Sequence, residues 1–271
     1  MKIPKITKKQ QYIIKLIYSY RYLDRIQIQL AMNHKDKRRI IAWLKDMREK
    51  HYVEWIYSTD FIGKTKPAIY YLGINGIRYL KSLDLYPIEE LRKRYKDASR
   101  SRTFIDRSLL VVECCLSLWA ANQSSTSGEV FGSIPEAKYI NPDHEYHFLA
   151  EHDVLRPNLC IIKQDKQGTV TANYLLEIFV SSLPRYRMRY RLKKYVTYIE
   201  DGEWEGDDPA PIILLVCPSI TELIYAKRST KKLIEDTYED DLHIRFTTTE
   251  LLRKEGITAN IWEEGRLRRC I

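Results

Sequence analysis

Four cations crowd a five-residue stretch near the start of the chain, Lys35, Lys37, Arg38 and Arg39, and Lys45 follows two turns after Arg38. Such side chains donate to phosphate oxygens, and arginine also grips a guanine edge through two parallel hydrogen bonds. A denser run covers Arg185–Lys194, where six of ten residues are Lys or Arg. Arg185, Arg189 and Lys193 recur every four residues, so a helix would place them on one face, with Arg187, Arg191 and Lys194 on a neighbouring one. This run reads equally as a second phosphate-binding surface or as a solvated face balancing the acidic stretch from Glu200 to Asp208. A third group, His144, His147 and His152 among Asp143, Glu145, Glu151 and Asp153, has donors suited to a transition metal, although a polar surface segment has the same composition.

The first cluster needs a scaffold, and the surrounding pattern supplies one. Tyr12, Ile13, Leu16, Ile17 and Tyr20 at helical spacing predict a helix over Lys8–Tyr20. Asp24 is placed to cap a short second helix, with Ile26, Ile28 and Leu30 as its apolar contacts. After a turn at Met32–His34, Asp36 caps a third helix reaching about Glu49. Its inward face is expected to be Ile40, Ile41, Leu44 and Met47, and its outward face Lys37, Arg38, Arg39, Lys45 and Arg48. The runs VEWIYSTDF and AIYYLG flank the turn GKTKP as a hairpin, and NGIRYLKSL opens another helix. Three helices followed by a hairpin describe a winged helix-turn-helix over residues 1–83. The third helix then suits the major groove, and Lys64 and Lys66 at the wing tip suit phosphates or the minor groove. Winged helices also dock proteins, and helix cations are often simply solvated.

The charge distribution favours a nucleic acid. Residues 1–99 hold 22 Lys and Arg against 10 Asp and Glu, whereas residues 100–271 hold 23 against 26, so the net +9 of the chain comes entirely from the first third. A polyanion-binding module joined to a near-neutral one is the expected organisation, with double-stranded DNA as partner. With 271 residues, 44% hydrophobic, the chain can build two cores. No run of about 18 uncharged apolar residues exists, so no membrane partner is expected. The basic start MKIPKITKKQQY is not followed by a signal-peptide core, which points to the cytoplasm. Cys114, Cys115, Cys160, Cys217 and Cys270 are odd in number and form no CxxC, so reduced structural thiols are expected.

Beyond a polar helical connector at 84–102, residues 103–271 alternate helix and strand. An apolar helix over Phe104–Ala121 precedes strands near 137–140 and 146–150, then LRPNLCII and VTANYLLEIFVSS. A basic helix over about Pro184–Glu200, the buried strand PIILLVCPS, a helix over Thr221–Asp236, the strand HIRFTTT, the short helix LLRKEG and a last strand TANIWEE complete the order. The expected architecture is a three-layer α/β domain around a mixed sheet.

That order resembles the PD-(D/E)XK, or restriction-endonuclease-like, core. LRPN at 155–158 is similar to the family's Pro-Asp strand, LLEIF at 175–179 to its Glu-x-Lys strand, and RLKKYVTY at 191–198 to the Lys-x-x-x-Tyr helix of one branch. With the winged helix in front, the chain resembles the replication-relaxation family of plasmid and mobile-element proteins, related to a group of mobilisation relaxases. The resemblance implies Glu177, with Glu113 on the preceding helix, as catalytic and metal-holding carboxylates for Mg²⁺ or Mn²⁺. Against it, Asn158 stands where an Asp belongs and Phe179 where a Lys or acid belongs. Arg185, Arg187 or Lys193 could supply the missing base, and Glu151, His152 or Asp153 the missing acid; Glu177 could instead be a solvent-facing edge residue. Tyr195 and Tyr198 are candidate relaxase nucleophiles among twenty tyrosines. Three functions therefore stay open: a DNA-binding protein of plasmid replication or mobilisation with a degraded nuclease-like domain, an active Mg²⁺-dependent nickase or relaxase, and a winged-helix transcriptional regulator. Other replication or mobilisation proteins, and a second copy of the chain, are the further partners compatible with the resemblance.

Overall fold

The computed structural model describes residues 3–57, 66–124, 130–133, 155, 157–164, 170–201, 209–235 and 243–265. The chain divides into two compact units, residues 1–116 with 137–146 and residues 117–136 with 147–271. The division after Leu116 falls inside a 23-residue helix. The fold is mixed α/β, and no helix among the described residues is long and apolar enough to cross a membrane.

In the first unit, α1 (Lys8–Tyr20) starts at Thr7, which forms a reciprocal capping box with Gln10. Ile13, Ile14, Leu16 and Ile17 of α1 are completely buried. The two-residue strand β1 (Leu23–Asp24) leads into α2 (Arg25–Ala31), capped by Asp24 in a second box with Gln27. Asn33 takes a left-handed φ of 46° in the turn before α3 (Lys37–Glu49), a conformation its short amide tolerates. Strands β2 (Val53–Ile56) and β3 (Ile69–Leu72) pair antiparallel, β1 joins the other edge of β3, and the sheet order is β1-β3-β2.

The start of helix α4 (Ile74–Ser82) lies against the turn between α3 and β2 through two glycines, Gly73 just before it and Gly76 within it. A Cβ on Gly73 would stand 2.5 Å from the His51 carbonyl oxygen, and one on Gly76 would stand 2.3 Å from that of Tyr52. Helix α5 (Ile88–Arg94) and a 3-10 turn (Asp97–Ser99) carry the chain to α6 (Arg102–Ser124). Asp97 is completely buried, and its Oδ1 accepts from Arg21 Nε at 2.7 Å. The Tyr22 hydroxyl donates to the Asp97 carbonyl at 2.8 Å, and Arg94 Nη2 donates to the Tyr18 carbonyl at 3.0 Å. Phe104, Ile105 and Leu109 of α6 pack with Tyr22, Ile69 and Tyr71.

Some apolar positions depart from the expected faces. Ile40, Leu44 and Met47 are buried, but Ile41 is 45% exposed because it sits a quarter turn from that stripe. In α2 only Ile28 and Gln27 turn inward, and two-residue spacing sends Ile26 and Leu30 to the opposite side of the helix, where they are exposed.

The second unit is built on a sheet of order β4-β5-β6-β7-β8-β9. Its strands are β4 (Val130–Ser133), β5 (Leu159–Gln164), β6 (Val170–Ile178), β7 (Pro211–Cys217), β8 (Ile244–Thr248) and β9 (Glu263–Glu264). Neighbours β4 to β6 run antiparallel, β6 to β8 parallel, and β9 antiparallel to β8. The two parallel steps are crossed by α7 (Arg185–Glu200) and α8 (Ile220–Glu235); α9 (Thr249–Glu255) follows β8, capped by Thr248. Met188, Leu192, Tyr195 and Val196 of α7 and Leu223 and Ala226 of α8 bury against Leu175, Ile213, Leu215 and Phe246 of the sheet. On the other face, Leu118 of α6, Tyr174, Leu214, Arg245 and Trp262 border a cavity of about 410 Å³. The last strand is shorter than TANIWEE suggested. The Trp262 indole donates to the Ile257 carbonyl at 2.9 Å, folding the preceding residues into a turn. Cys114, Cys115, Cys160 and Cys217 are buried and form no disulfide, whereas Cys270 and the strands expected near 137–140 and 146–150 lie outside the described residues.

Candidate functional site

Helix α3 presents its cations to solvent. Asp36 Oδ1 accepts from the backbone N–H groups of Arg38 (2.8 Å) and Arg39 (3.4 Å), fixing the first turn. The capping carboxylate satisfies backbone donors and leaves the guanidinium groups facing outward. Lys35, Lys37, Arg38, Arg39 and Lys45 are all exposed. Among the described residues none of the first four has an acidic partner within 4 Å, while Lys45 approaches Glu49 at 3.9 Å on the exposed surface. Exposed Ile41 lies one turn from Arg38 on the same helix. Lys66 is exposed just before β3, and Lys64 lies outside the described residues.

A stacked group beside this face was not foreseen. The Arg48 guanidinium lies 3.7 Å from the Trp55 ring centroid, and Trp55 stacks on Tyr57 at 5.4 Å with planes 16° apart. Trp55 and Tyr57 are 41% and 44% exposed. The alternation of VEWIY, with Trp55 and Tyr57 sharing a strand face, is the signal that could have found them.

In the second unit the carboxylate of interest has other partners. Asn173, Leu175, Glu177 and Phe179 alternate onto the α7 face of the sheet. Glu177 is neither on an edge nor in solvent: β6 is interior to the sheet, and the residue is 7% exposed. Its Oε2 accepts from Arg191 Nη2 at 2.8 Å and from the Tyr195 hydroxyl at 2.7 Å. Arg191 Nη2 also reaches the Tyr195 oxygen at 3.3 Å. Arg191 and Tyr195 are one turn apart, so α7 closes both onto the same oxygen. Burial and the adjacent Glu177 charge hold the Tyr195 phenol well above its usual range.

These residues do not fit a divalent metal. The carboxylate charge is already neutralised by a guanidinium. The Asn158 Oδ1 accepts from the Ile178 N–H at 2.7 Å, and its own N–H donates to the Leu176 carbonyl at 2.8 Å, so it ties β5 to β6. Phe179 is 1% exposed in the core under α7. Among the described residues no group of three or more His, Cys, Asp or Glu side chains could hold a metal ion. Glu113 is half-buried on α6 in the first unit. Tyr195 and Tyr198 are buried at 0% and 7% exposure, which removes them from any strand they would attack. His144, His147, Glu151, His152 and Asp153 lie outside the described residues.

No family model, no curated protein and no solved structure matches this chain.

The basic helix α7 is the other candidate surface. Arg185, Arg187, Arg189 and Lys193 are exposed, Arg191 turns in to Glu177, and Arg185 lies over the Tyr225 ring of α8 at 4.8 Å. Tyr186 and Tyr190 are 68% and 62% exposed between these cations. Sequence reasoning took the cations and passed over the tyrosines, although their four-residue spacing opposite Met188, Leu192 and Tyr195 marks them as outward.

Proposed function

We propose that this chain is a DNA-binding protein whose first unit is a winged helix-turn-helix that reads duplex DNA through α3. The second unit is a PD-(D/E)XK-like scaffold that has lost its metal chemistry, and the protein serves replication or mobilisation of a plasmid or other mobile element, as the resemblance to replication-relaxation proteins implies. The observation that carries the reading is the exposed cluster Lys35, Lys37, Arg38 and Arg39 at the start of α3, whose side chains make no ion pair within 4 Å among the described residues, the one acid between them, Asp36, being spent on capping the backbone. Helix N-terminal residues are those that meet base edges and backbone in such modules. Exposed Ile41 offers an apolar contact to a thymine methyl. The nuclease-like assignment draws on the order α6, three antiparallel strands, α7 and a parallel strand β7. The neutralised Glu177 weighs against the nickase alternative.

Duplex binding by the full chain, measured by fluorescence anisotropy across a salt series, tests the reading. The double change Arg38→Glu/Arg39→Glu lowers affinity and flattens the salt dependence, the slope falling by about 0.9 for each phosphate that is no longer neutralised. An unchanged affinity and slope would remove α3 as the reading helix. Supercoiled plasmid incubated with Mg²⁺ or Mn²⁺ stays intact; metal-dependent nicking that disappears in Glu177→Ala would restore the enzyme.

A further inference from the structure

We infer that the outer face of α7 is a binding platform for a single-stranded polynucleotide, in which Tyr186 and Tyr190 stack on bases and the flanking cations hold the phosphates. The inference is independent of α3. It concerns the other unit and a different form of nucleic acid.

Three observations meet on this face. The first is composition. Helices α7 and α8 together carry ten Lys and Arg against three Asp and Glu, although residues 100–271 as a whole are net negative. Two of those cations already have partners, Arg191 turning inward to Glu177 and exposed Arg185 lying over the Tyr225 ring. The remainder of the α7 face, Arg187, Arg189, Lys193 and Lys194, has no acid on its own helix before Glu200.

The second observation is the pair of tyrosines. Met188, Leu192, Tyr195 and Val196 bury one side of α7, which leaves Tyr186, Tyr190, Lys193 and Thr197 as a stripe on the opposite side. A tyrosine that is two-thirds exposed has most of its ring in water, and two such rings one turn apart form a patch with no packing role. The third is the local pairing of ring and charge. Arg187 sits 5.9 Å from the Tyr186 centroid, and Lys194 Nζ sits 5.2 Å from that of Tyr190. Each ring that could take a base therefore has a cation at hand for that nucleotide's phosphate.

The chemistry selects the ligand. Rings in the midst of cations suit a polyanion with flat, accessible faces. Duplex bases hide their faces in the stack, about 3.4 Å apart along each strand. The tyrosines are separated by about 6 Å along the helix axis, which suits bases parted from one another in a single strand. An acidic membrane would call for aliphatic or Trp side chains beside the cations, and the exposed α7 positions from Arg185 to Thr197 carry only Arg, Lys, Tyr and Thr.

The test uses the full chain and three labelled probes: oligo(dT) and oligo(rU) of about 12 nucleotides, within the usual site size, and a duplex. Tyr186→Ala/Tyr190→Ala lowers oligonucleotide affinity by about tenfold or more and leaves duplex affinity within about twofold, while Tyr186→Phe/Tyr190→Phe stays near wild type. Arg38→Glu/Arg39→Glu does the reverse, weakening the duplex and sparing the single strand, so failure of the α3 reading and failure of this one are told apart. Equal tyrosine dependence on oligo(rU) extends the platform to RNA. Both tyrosine positions are exposed, so circular dichroism and melting temperature are expected to be unchanged. The inference is overturned if wild type does not bind the oligonucleotides, if the Ala variant binds them as wild type does, or if the Phe variant loses as much as the Ala variant. Tyrosine-dependent binding to phosphatidylserine vesicles without oligonucleotide binding also overturns it.

Discussion

Replacing Glu177 by Ala distinguishes a structural ion pair from a resting metal site. The single oxygen Oε2 holds two charge-assisted hydrogen bonds, at 2.8 Å to Arg191 and 2.7 Å to Tyr195. Each such bond contributes about 1.5–3 kcal/mol. The alanine variant also strands the Tyr195 hydroxyl at 0% exposure, a cost of about 1–3 kcal/mol. Part of this is recovered, because the carboxylate no longer needs desolvating. The Arg191 side chain, 20% exposed, can also turn its head toward water. The net loss is therefore placed at about 3 kcal/mol, at the lower edge of what breaking a buried pair costs. For a unit of this size that is a drop of about 6–12 °C in melting temperature. Differential scanning calorimetry with and without 10 mM MgCl2 reads it. A metal site with a Kd of about 0.1 mM would be stabilised by about 2.7 kcal/mol under that condition, whereas an ion-paired Glu177 gives no shift. Unchanged or higher stability of Glu177→Ala, together with Mg²⁺ stabilisation of wild type alone, would refute the reasoning.

Gly76→Ala drives a Cβ to 2.3 Å from the Tyr52 carbonyl oxygen, a backbone atom that cannot swing away, and is expected to cost more than about 2 kcal/mol in urea unfolding. Asp46 links α3 to α1, since its Oδ2 accepts from Gln10 Nε2 at 2.6 Å and from Lys50 Nζ at 2.9 Å. The hydrogen bond from Lys50, with that from Gln10, holds its carboxyl below the usual 3.8 despite some desolvation. Its contribution is thus complete above the unfolded value and disappears as pH falls through the lowered folded value. Melting curves of wild type and Asp46→Asn are expected to differ by less than about 1 kcal/mol above pH 5 and to converge in acid; a gap that widens in acid would contradict the assignment.

What the sequence made legible was mostly local. Asp24 and Asp36 cap the helices they precede because a cap depends on residues two or three positions away. The inward stripe Met188, Leu192 and Tyr195 of α7 is likewise local, since its spacing is the helical period. Glu177 stands out in the sequence, but its environment does not, because that depends on which strand neighbours β6 and on how α7 lies across it. Asn158 looks like a damaged metal ligand; its role is to bond the Ile178 N–H twenty residues away, which no spacing reveals. Ile41 departs from its expected face because a stripe of buried residues leaves a margin that only packing decides. The Arg185–Lys194 run stood out, but the charge sum over 100–271 concealed that α8 adds Lys227, Arg228, Lys231 and Lys232 to it, since acidic residues elsewhere cancel them.

The Arg21–Asp97 ion pair bears on how this protein could be cut and recombined. Arg21 ends the first helix, whereas Asp97 belongs to the stretch that reads as a connector, and α6 adds Phe104 and Ile105 to the same cluster. Excision after residue 83 would leave Arg21 without its counter-ion and expose Tyr22 and Ile69. The smallest transplantable fragment of the first unit therefore runs through the first half of α6. Any graft of the front end onto another protein would have to carry that stretch along, since it is part of the first unit's core and no neutral spacer.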